Sequence, residues 1–247
     1  MKIGVFDSGI GGLTVVKSLL AHQLFEEIVY YGDTARVPYG SKDKNTIIRY
    51  GIEAVEMFKN FELDMIVVAC NTASAYALDD MNVTASCPVI GVVEAGVLAC
   101  ANVLEDKDAN ILVLGTKATV NSKAYENGLK SLQFNNVNSL ATPLFVPIVE
   151  EELGESEILD VTMKHYFKNI ASPNALILGC THFPIIAKQL QNHFGANTKL
   201  IHSGDAIVEY LSQKFDLSKK YPEPKLQFFA SDNPEALRSI AHKWLEL

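Results

Sequence analysis

Two cysteines, Cys70 and Cys180, occupy the same local phrase. The first ends DMIVVAC and is followed by Asn71, Thr72 and Ser74, which open a helical pattern. The second ends LILGC and is followed by Thr181, His182 and Pro184, the proline suiting a helix's first turn. The short apolar run before each thiol reads as a buried strand. Each cysteine therefore falls on the turn between a strand's carboxyl end and a helix, where open α/β sheets place ligands. Unpaired backbone N–H groups at such a turn favour a thiolate over a thiol. One cysteine in this position would more often be a small core residue, but two in equivalent turns point to catalysis. An ordinary thiol titrates near about 8.5, so one thiolate and one thiol can coexist near neutrality. Cys87 precedes a proline and Cys100 lies inside a helical pattern, and both read as packing residues. A zinc site built from Cys70, Cys180 and His182 is the rival reading. It needs three ligands within about 2.3 Å of one ion, whereas acting on both faces of a substrate needs a substrate's width between the sulfurs.

The elements that carry the cysteines are duplicated. Cys70 and Cys180 are 110 residues apart, Ile3 and Ile111 are 108 apart, Val37-Pro38 and Val146-Pro147 are 109 apart, and Glu94-Ala95 and Asp205-Ala206 are 111 apart. Four landmarks in one order at nearly one offset define an internal repeat. The expected fold is α/β: two pseudo-symmetric, doubly wound, flavodoxin-like parallel-sheet lobes with the active site in the cleft between them. The first lobe should span 1–94, with strands at 2–7, 27–33, 65–69 and 88–93. The second should span 95–206, opening on a crossing helix over 95–106, with strands at 111–115, 137–141, 175–179 and 199–202 and a loop PLFVPIVEEELGE after the second of these. The tail, 207–247, adds a helix, the strand LQFFA and a last helix, and should return to the first lobe. The loop DSGIGG after the first strand offers glycines that let a backbone approach a ligand. Alone it is a weak sign, and it lacks the lysine of a phosphate-binding loop.

The 247 residues are enough for two modest lobes, each able to bury a core. A net charge of −8 with no basic run beyond Lys219-Lys220 argues against nucleic acid as a partner. No stretch approaches the roughly 20 apolar residues of a membrane span, and no leader pattern precedes Lys2, so a cytoplasmic protein with free thiols is expected.

DSGIGG, VPYG, ACNTAS, TKAT and GCTH together resemble the glutamate racemases of the cofactor-independent aspartate/glutamate racemase superfamily, in order and spacing over nearly the whole chain. The resemblance implies interconversion of L- and D-glutamate to supply D-glutamate for peptidoglycan, and so for cell-wall biogenesis and cell shape. It implies no cofactor, no metal and a homodimer. The cysteines would act on opposite faces of Cα, Cys70 on the D-isomer and Cys180 on the L-isomer. Asp7 would support the first thiol, and Glu150 and His182 the second, with Glu151 a weaker choice than Glu150. Asn71, Thr72 and Thr181 would hold the α-carboxylate end. Ser8 and Tyr39-Gly40 would hold the side-chain carboxylate, and Thr116 and Thr119 add uncharged donors. Some members carry an amino-terminal extension tied to activation by a cell-wall precursor, and that regulation is not expected here.

The chemistry fits those residue types. A proton on Cα of an amino acid is very weakly acidic, so its base must be close and desolvated and the carbanion electrostatically stabilised. Bland readings stand beside these: Asp7 as a turn residue, His182 as a helix-start residue, and the other histidines as surface or packing groups. Competing functions are a sister enzyme acting on aspartate, a decarboxylase needing only one thiol, and a non-catalytic metabolite-binding protein with paired lobes. Isotope exchange at Cα separates the last from the enzymes.

Overall fold

The computed structural model describes residues 1–247. The chain runs β1 (Lys2–Asp7), α1 (Leu13–Ala21), β2 (Glu27–Gly32), α2 (Lys44–Phe58), β3 (Met65–Val68), α3 (Asn71–Tyr76), α4 (Leu78–Thr84), β4 (Val89–Gly91) and α5 (Val92–Val103). It continues with β5 (Ile111–Gly115), α6 (Lys117–Ser122), α7 (Ala124–Ser131), β6 (Val137–Ala141), α8 (Phe145–Glu150), α9 (Glu157–Phe167), β7 (Ala175–Gly179), α10 (Ala187–Phe194) and β8 (Lys199–His202). The last elements are α11 (Ser203–Lys214), β9 (Lys225–Ala230) and α12 (Pro234–Leu245). Short 3-10 helices sit at Tyr39–Ser41 and Phe183–Ile186.

Two all-parallel sheets form, in the orders β4-β3-β1-β2-β9 and β6-β5-β7-β8. Read from β2, the first sheet is β2-β1-β3-β4, and the second repeats it strand for strand as β6-β5-β7-β8. The pairing registers repeat too. Ile3 pairs with Ile28 and Met65, and Ile111 pairs with Val137 and Ala175. This is the expected pair of doubly wound parallel sheets. The central strands β1, β3, β5 and β7 are buried apolar runs because helices cover both faces of each sheet, while β6, β8 and β9 at the edges are partly exposed.

Alternation along each strand decides which core a residue enters. Phe6, Ile66 and Val68 face α2 and the α3–α4 pair, while Leu112, Leu114, Leu176 and Leu178 face α8, α9 and α10. The opposite faces, with Ile3, Val5 and Val67 on one sheet and Ile111, Val113 and Ile177 on the other, belong to a single inner core with residues of α1, α5 and α11. The sequence suggested two lobes each with a core of its own; each sheet has such a core on its outer face, and a third, larger core is shared between the two sheets. The reason is α5, whose AGVLACA run is apolar nearly all round and is buried between the sheets rather than crossing over the surface.

Other elements also depart from the sequence reading. Val92 and Val93 belong to the first turn of α5, not to β4, because the Ser74 hydroxyl takes the Val93 N–H at 3.1 Å. The segment expected as a loop after β6 holds the helix α8, which buries Phe145, Val146, Ile148 and Val149. Its Pro147 stands in the first turn, where no backbone donor is required. The helix expected from about 207 begins at Ser203, directly after β8. The positions 94/95 and 206/207 thus lie inside α5 and α11, which pack on each other. At the carboxyl end β9 pairs in parallel with β2, from Glu27–Lys225 to Gly32–Ala230, and α12 packs on α1 and β9. No helix is long and apolar enough to cross a membrane.

Candidate active site

In each sheet the strand order reverses at one place, between β1 and β3 and between β5 and β7. Doubly wound sheets bind ligands beyond the carboxyl ends of the strands at such points. Asp7 ends β1, Cys70 follows β3, Thr116 follows β5 and Cys180 follows β7. Residues from both sheets line one narrow cleft. Of the residues expected to bind substrate, Ser8, Tyr39, Gly40, Asn71, Thr72, Thr116, Thr181 and His182 line it, together with Cys180. Asp7, Cys70, Thr119 and Glu150 stand one contact behind them.

Cys70 caps α3. Its sulfur accepts the Ala73 N–H at 3.5 Å and lies 3.4 Å from Ser8 Oγ. Burial, and then the charge of Asp7, push this thiol up to about 12, although the hydrogen bonds from Ser8 and Ala73 pull the other way. The turn geometry alone suggested a thiolate. The buried setting overrides it, because helix-start N–H groups are a smaller effect than the loss of water around a charged sulfur. Asp7 is fully buried, and its carboxylate accepts from the Gly9 N–H at 3.0 Å and from Thr181 Oγ1 at 3.2 Å. Burial raises its carboxyl above the usual range, against the neighbouring His182 and the N–H groups of Gly9 and Gly12.

The second thiol has a different partner. Cys180 Sγ is 3.8 Å from His182 Nδ1, and His182 Nε2 is 3.0 Å from Glu150 Oε1. Glu151, the weaker choice, is exposed. Burial acts to lower the imidazole. Its bonds to Cys180 and Glu150 and the nearby charges of Cys180 and Asp7 outweigh that and push it up to about 10. The site therefore pairs a thiol at Cys70 with a sulfur beside a cationic imidazole at Cys180. Cys70, Cys180 and His182 do not form a metal-binding cluster, and no other three His, Cys, Asp or Glu side chains do.

The His182 shift carries a stability consequence with a definite sign. An imidazole held well above its ordinary value of about 6.5 binds its proton more tightly folded than unfolded. The stability it adds is therefore fully present below about pH 6.5 and is lost as pH rises through the folded value of about 10. Comparing thermal midpoints of wild type and His182→Asn across this window should show a gap that closes with rising pH. A gap that stays constant or widens would contradict the assignment of the proton to His182.

Contacts between the sheets complete the cleft. The hydroxyls of Thr72, Thr116 and Thr119 form a triangle with edges of 2.9 to 3.0 Å, and Thr116 also caps α6. A Cβ on Gly40 would lie 2.4 Å from the Thr116 Cβ, and one on Gly11 would lie 2.4 Å from Thr181 Oγ1 and 2.6 Å from His182 Nδ1. The DSGIGG loop was expected to bring backbone close to a ligand. Gly11 brings it instead against the opposite half of the site.

Two expected donors are otherwise engaged. The Tyr39 hydroxyl donates to the buried carboxylate of Asp33. Asn71 Oδ1 accepts from the Tyr125 hydroxyl at 2.6 Å and its Nδ2 donates to Ser203 Oγ at 3.3 Å, so this side chain ties α3 to α7 and α11. Tyr125, Ser203 and Asp33 were not singled out in the sequence. Only Asp33 carried a usable signal, a charge directly after an apolar strand.

An Asp/Glu/hydantoin racemase family model matches residues 14–211. A glutamate racemase of Campylobacter jejuni subsp. jejuni is 55% identical over 247 residues, covering 100% of this chain and 99% of its own. The crystal structure of a glutamate racemase from that organism superposes with a TM-score of 0.99 over 100% of this chain and 99% of that one. A glutamate racemase of Francisella tularensis solved in complex with D-glutamate is 36% identical, with a TM-score of 0.86 over 100% of this chain and 94% of its own. The chain belongs to the Asp/Glu/hydantoin racemase family. It is an isomerase, an amino-acid racemase whose relatives are glutamate racemases.

Proposed function

We propose that this protein interconverts L- and D-glutamate by proton transfer between Cα and two thiols, and that it supplies D-glutamate for peptidoglycan from the cytoplasm as a homodimer without a cofactor. The observation that carries the reading is the pair of equivalent strand-to-helix turns, with Cys70 under one wall of the cleft and Cys180 in the other. Its substrate is argued from the glutamate racemases the chain resembles, including the Francisella tularensis relative solved with D-glutamate.

With L-glutamate, Cys180 takes the Cα proton as a thiolate next to the protonated His182, which Glu150 holds in place. Cys70, kept as a thiol by burial and by Asp7, gives its proton to the opposite face. The turnover ends with Cys180 as thiol and Cys70 as thiolate, the form that accepts D-glutamate. The hydroxyls of Thr72, Thr116 and Thr119 and the first N–H groups of α3, which have no partners within their helix, suit the α-carboxylate. Ser8 and Gly40 suit the far carboxylate, and Tyr39 contributes by holding Gly40 in place rather than through its hydroxyl.

Glutamate should be preferred over aspartate. One methylene is worth about 1 to 3 kcal/mol by fit alone, and a misplaced carboxylate also leaves its donors unpaired. Following optical activity with each L-amino acid in turn should give a kcat/KM at least about tenfold higher for glutamate. A ratio near one, or one favouring aspartate, would reassign the substrate.

A further inference from the structure

Asp33 follows β2 directly and is fully buried, yet no step of the proton transfer uses it. Its Oδ2 accepts from Arg36 Nε at 2.7 Å and from the Tyr39 hydroxyl, and its Oδ1 accepts from Ser231 Oγ at 2.7 Å. Arg36 is held from its other side by Glu53 of α2 and lies 4.1 Å from the centre of the Tyr50 ring. Ser231 belongs to the segment just past β9. That segment grips the same turn four more times, through Ser231 N–H to the Gly32 carbonyl at 3.1 Å, Ala35 N–H to Ser231 Oγ at 2.9 Å, Asp232 N–H to Thr34 Oγ1 at 3.0 Å and Thr34 Oγ1 to the Asp232 carbonyl at 2.5 Å.

The internal repeat supplies a control. The Asp33 N–H donates to the Asp7 carbonyl at 3.0 Å, and the Thr142 N–H donates to the Gly115 carbonyl at the same distance, so Thr142 is the counterpart of Asp33 in the second sheet. Thr142 is equally buried, but its hydroxyl has no partner. The difference follows what comes next. After Thr142 the chain enters α8, whose own hydrogen bonds hold it, whereas after Asp33 it runs irregularly to the 3-10 turn at Tyr39–Ser41. With no helix to hold it, this half-exposed stretch is anchored by its side chains, and Arg36 and Tyr39 both reach back to the Asp33 carboxylate.

We propose that Asp33 is a positioning residue that links the carboxyl-terminal segment, through Ser231, to the Tyr39–Gly40 wall of the cleft, so that the tail of the chain sets affinity for the substrate's far carboxylate. This rests on the glutamate racemase reading. Gly40 is pressed against Thr116, with no room even for a methyl group, so a small shift of Tyr39 alters the width of the cleft at that end. The reacting thiols lie on other strands and keep their geometry.

Steady-state kinetics in both directions test the link. Asp33→Asn removes an ionic acceptor and should raise KM for both enantiomers about tenfold, with kcat changed by less than about threefold. Tyr39→Phe and Ser231→Ala should each raise KM by a smaller factor. Because both act through Asp33, the Tyr39→Phe/Ser231→Ala double variant should be no worse than Tyr39→Phe alone. These two substitutions leave the Asp33–Arg36 pair intact and keep the test open if Asp33→Asn does not fold. An unmoved KM, a fall in kcat equal to that in kcat/KM, or multiplying effects in the double variant would overturn the proposal. Wild-type protein that does not turn over glutamate would instead overturn the functional reading, and this proposal with it.

Discussion

Replacing either Cys70 or Cys180 with alanine is expected to lower racemisation by about 10³-fold or more in both directions, since general acid–base groups of this kind contribute about 10² to 10⁴ each. Inversion needs a base on one face and an acid on the other, so losing either thiol stops the same event. The double variant should therefore be little worse than either single one. The enantiomers are mirror images with equal free energies, so kcat/KM must fall by the same factor in the two directions. Only kcat and KM taken separately can differ between the variants. Polarimetry from each pure enantiomer reads this directly, and a single cysteine variant that retains about a tenth of the activity would remove that thiol from the mechanism.

Gly11→Ala should cost about 100-fold in kcat although Gly11 takes no part in the chemistry. The added methyl would meet Thr181 Oγ1 and His182 Nδ1 well inside van der Waals contact, and both belong to the opposite half of the cleft. His182 would have to move away from Cys180, from Glu150, or from both. Misplacing a catalytic group by about 1 Å can cost about 10²-fold. The thermal midpoint should fall only modestly, because Gly11 lies at the cleft and not in the inner core. A variant with normal kcat would show that the sheets can separate there without consequence.

The parts of this fold legible in the sequence were those with contiguous signals. Buried parallel strands are unbroken apolar runs, and the repeat showed itself through offsets rising from 108 to 111 residues, the increments by which the paired strands themselves are displaced. Asp7, Cys70, Cys180 and His182 lie at strand ends or within three residues of them, and so could be placed from local pattern. What was missed depended on distant partners. The single inner core arises because α1, α5 and α11 meet between the sheets, and nothing within α5 states which partners cover it. Asn71 reads as a free donor until Tyr125 is seen 54 residues away in sequence, and Tyr39 does so until Asp33 is found behind it. Cys70 shows the same limit in its electrostatics: its turn favours a thiolate, and only its three-dimensional burial reverses that.

The central claim, two thiols acting on opposite faces, is tested most directly by following deuterium at Cα during the first few per cent of conversion in deuterated water, starting from each pure enantiomer. Two bases predict label in the product enantiomer and almost none in the recovered substrate, because the proton removed by one sulfur is not the one returned by the other. Equal labelling of substrate and product from the outset would mean that a single group serves both faces, and would contradict the account.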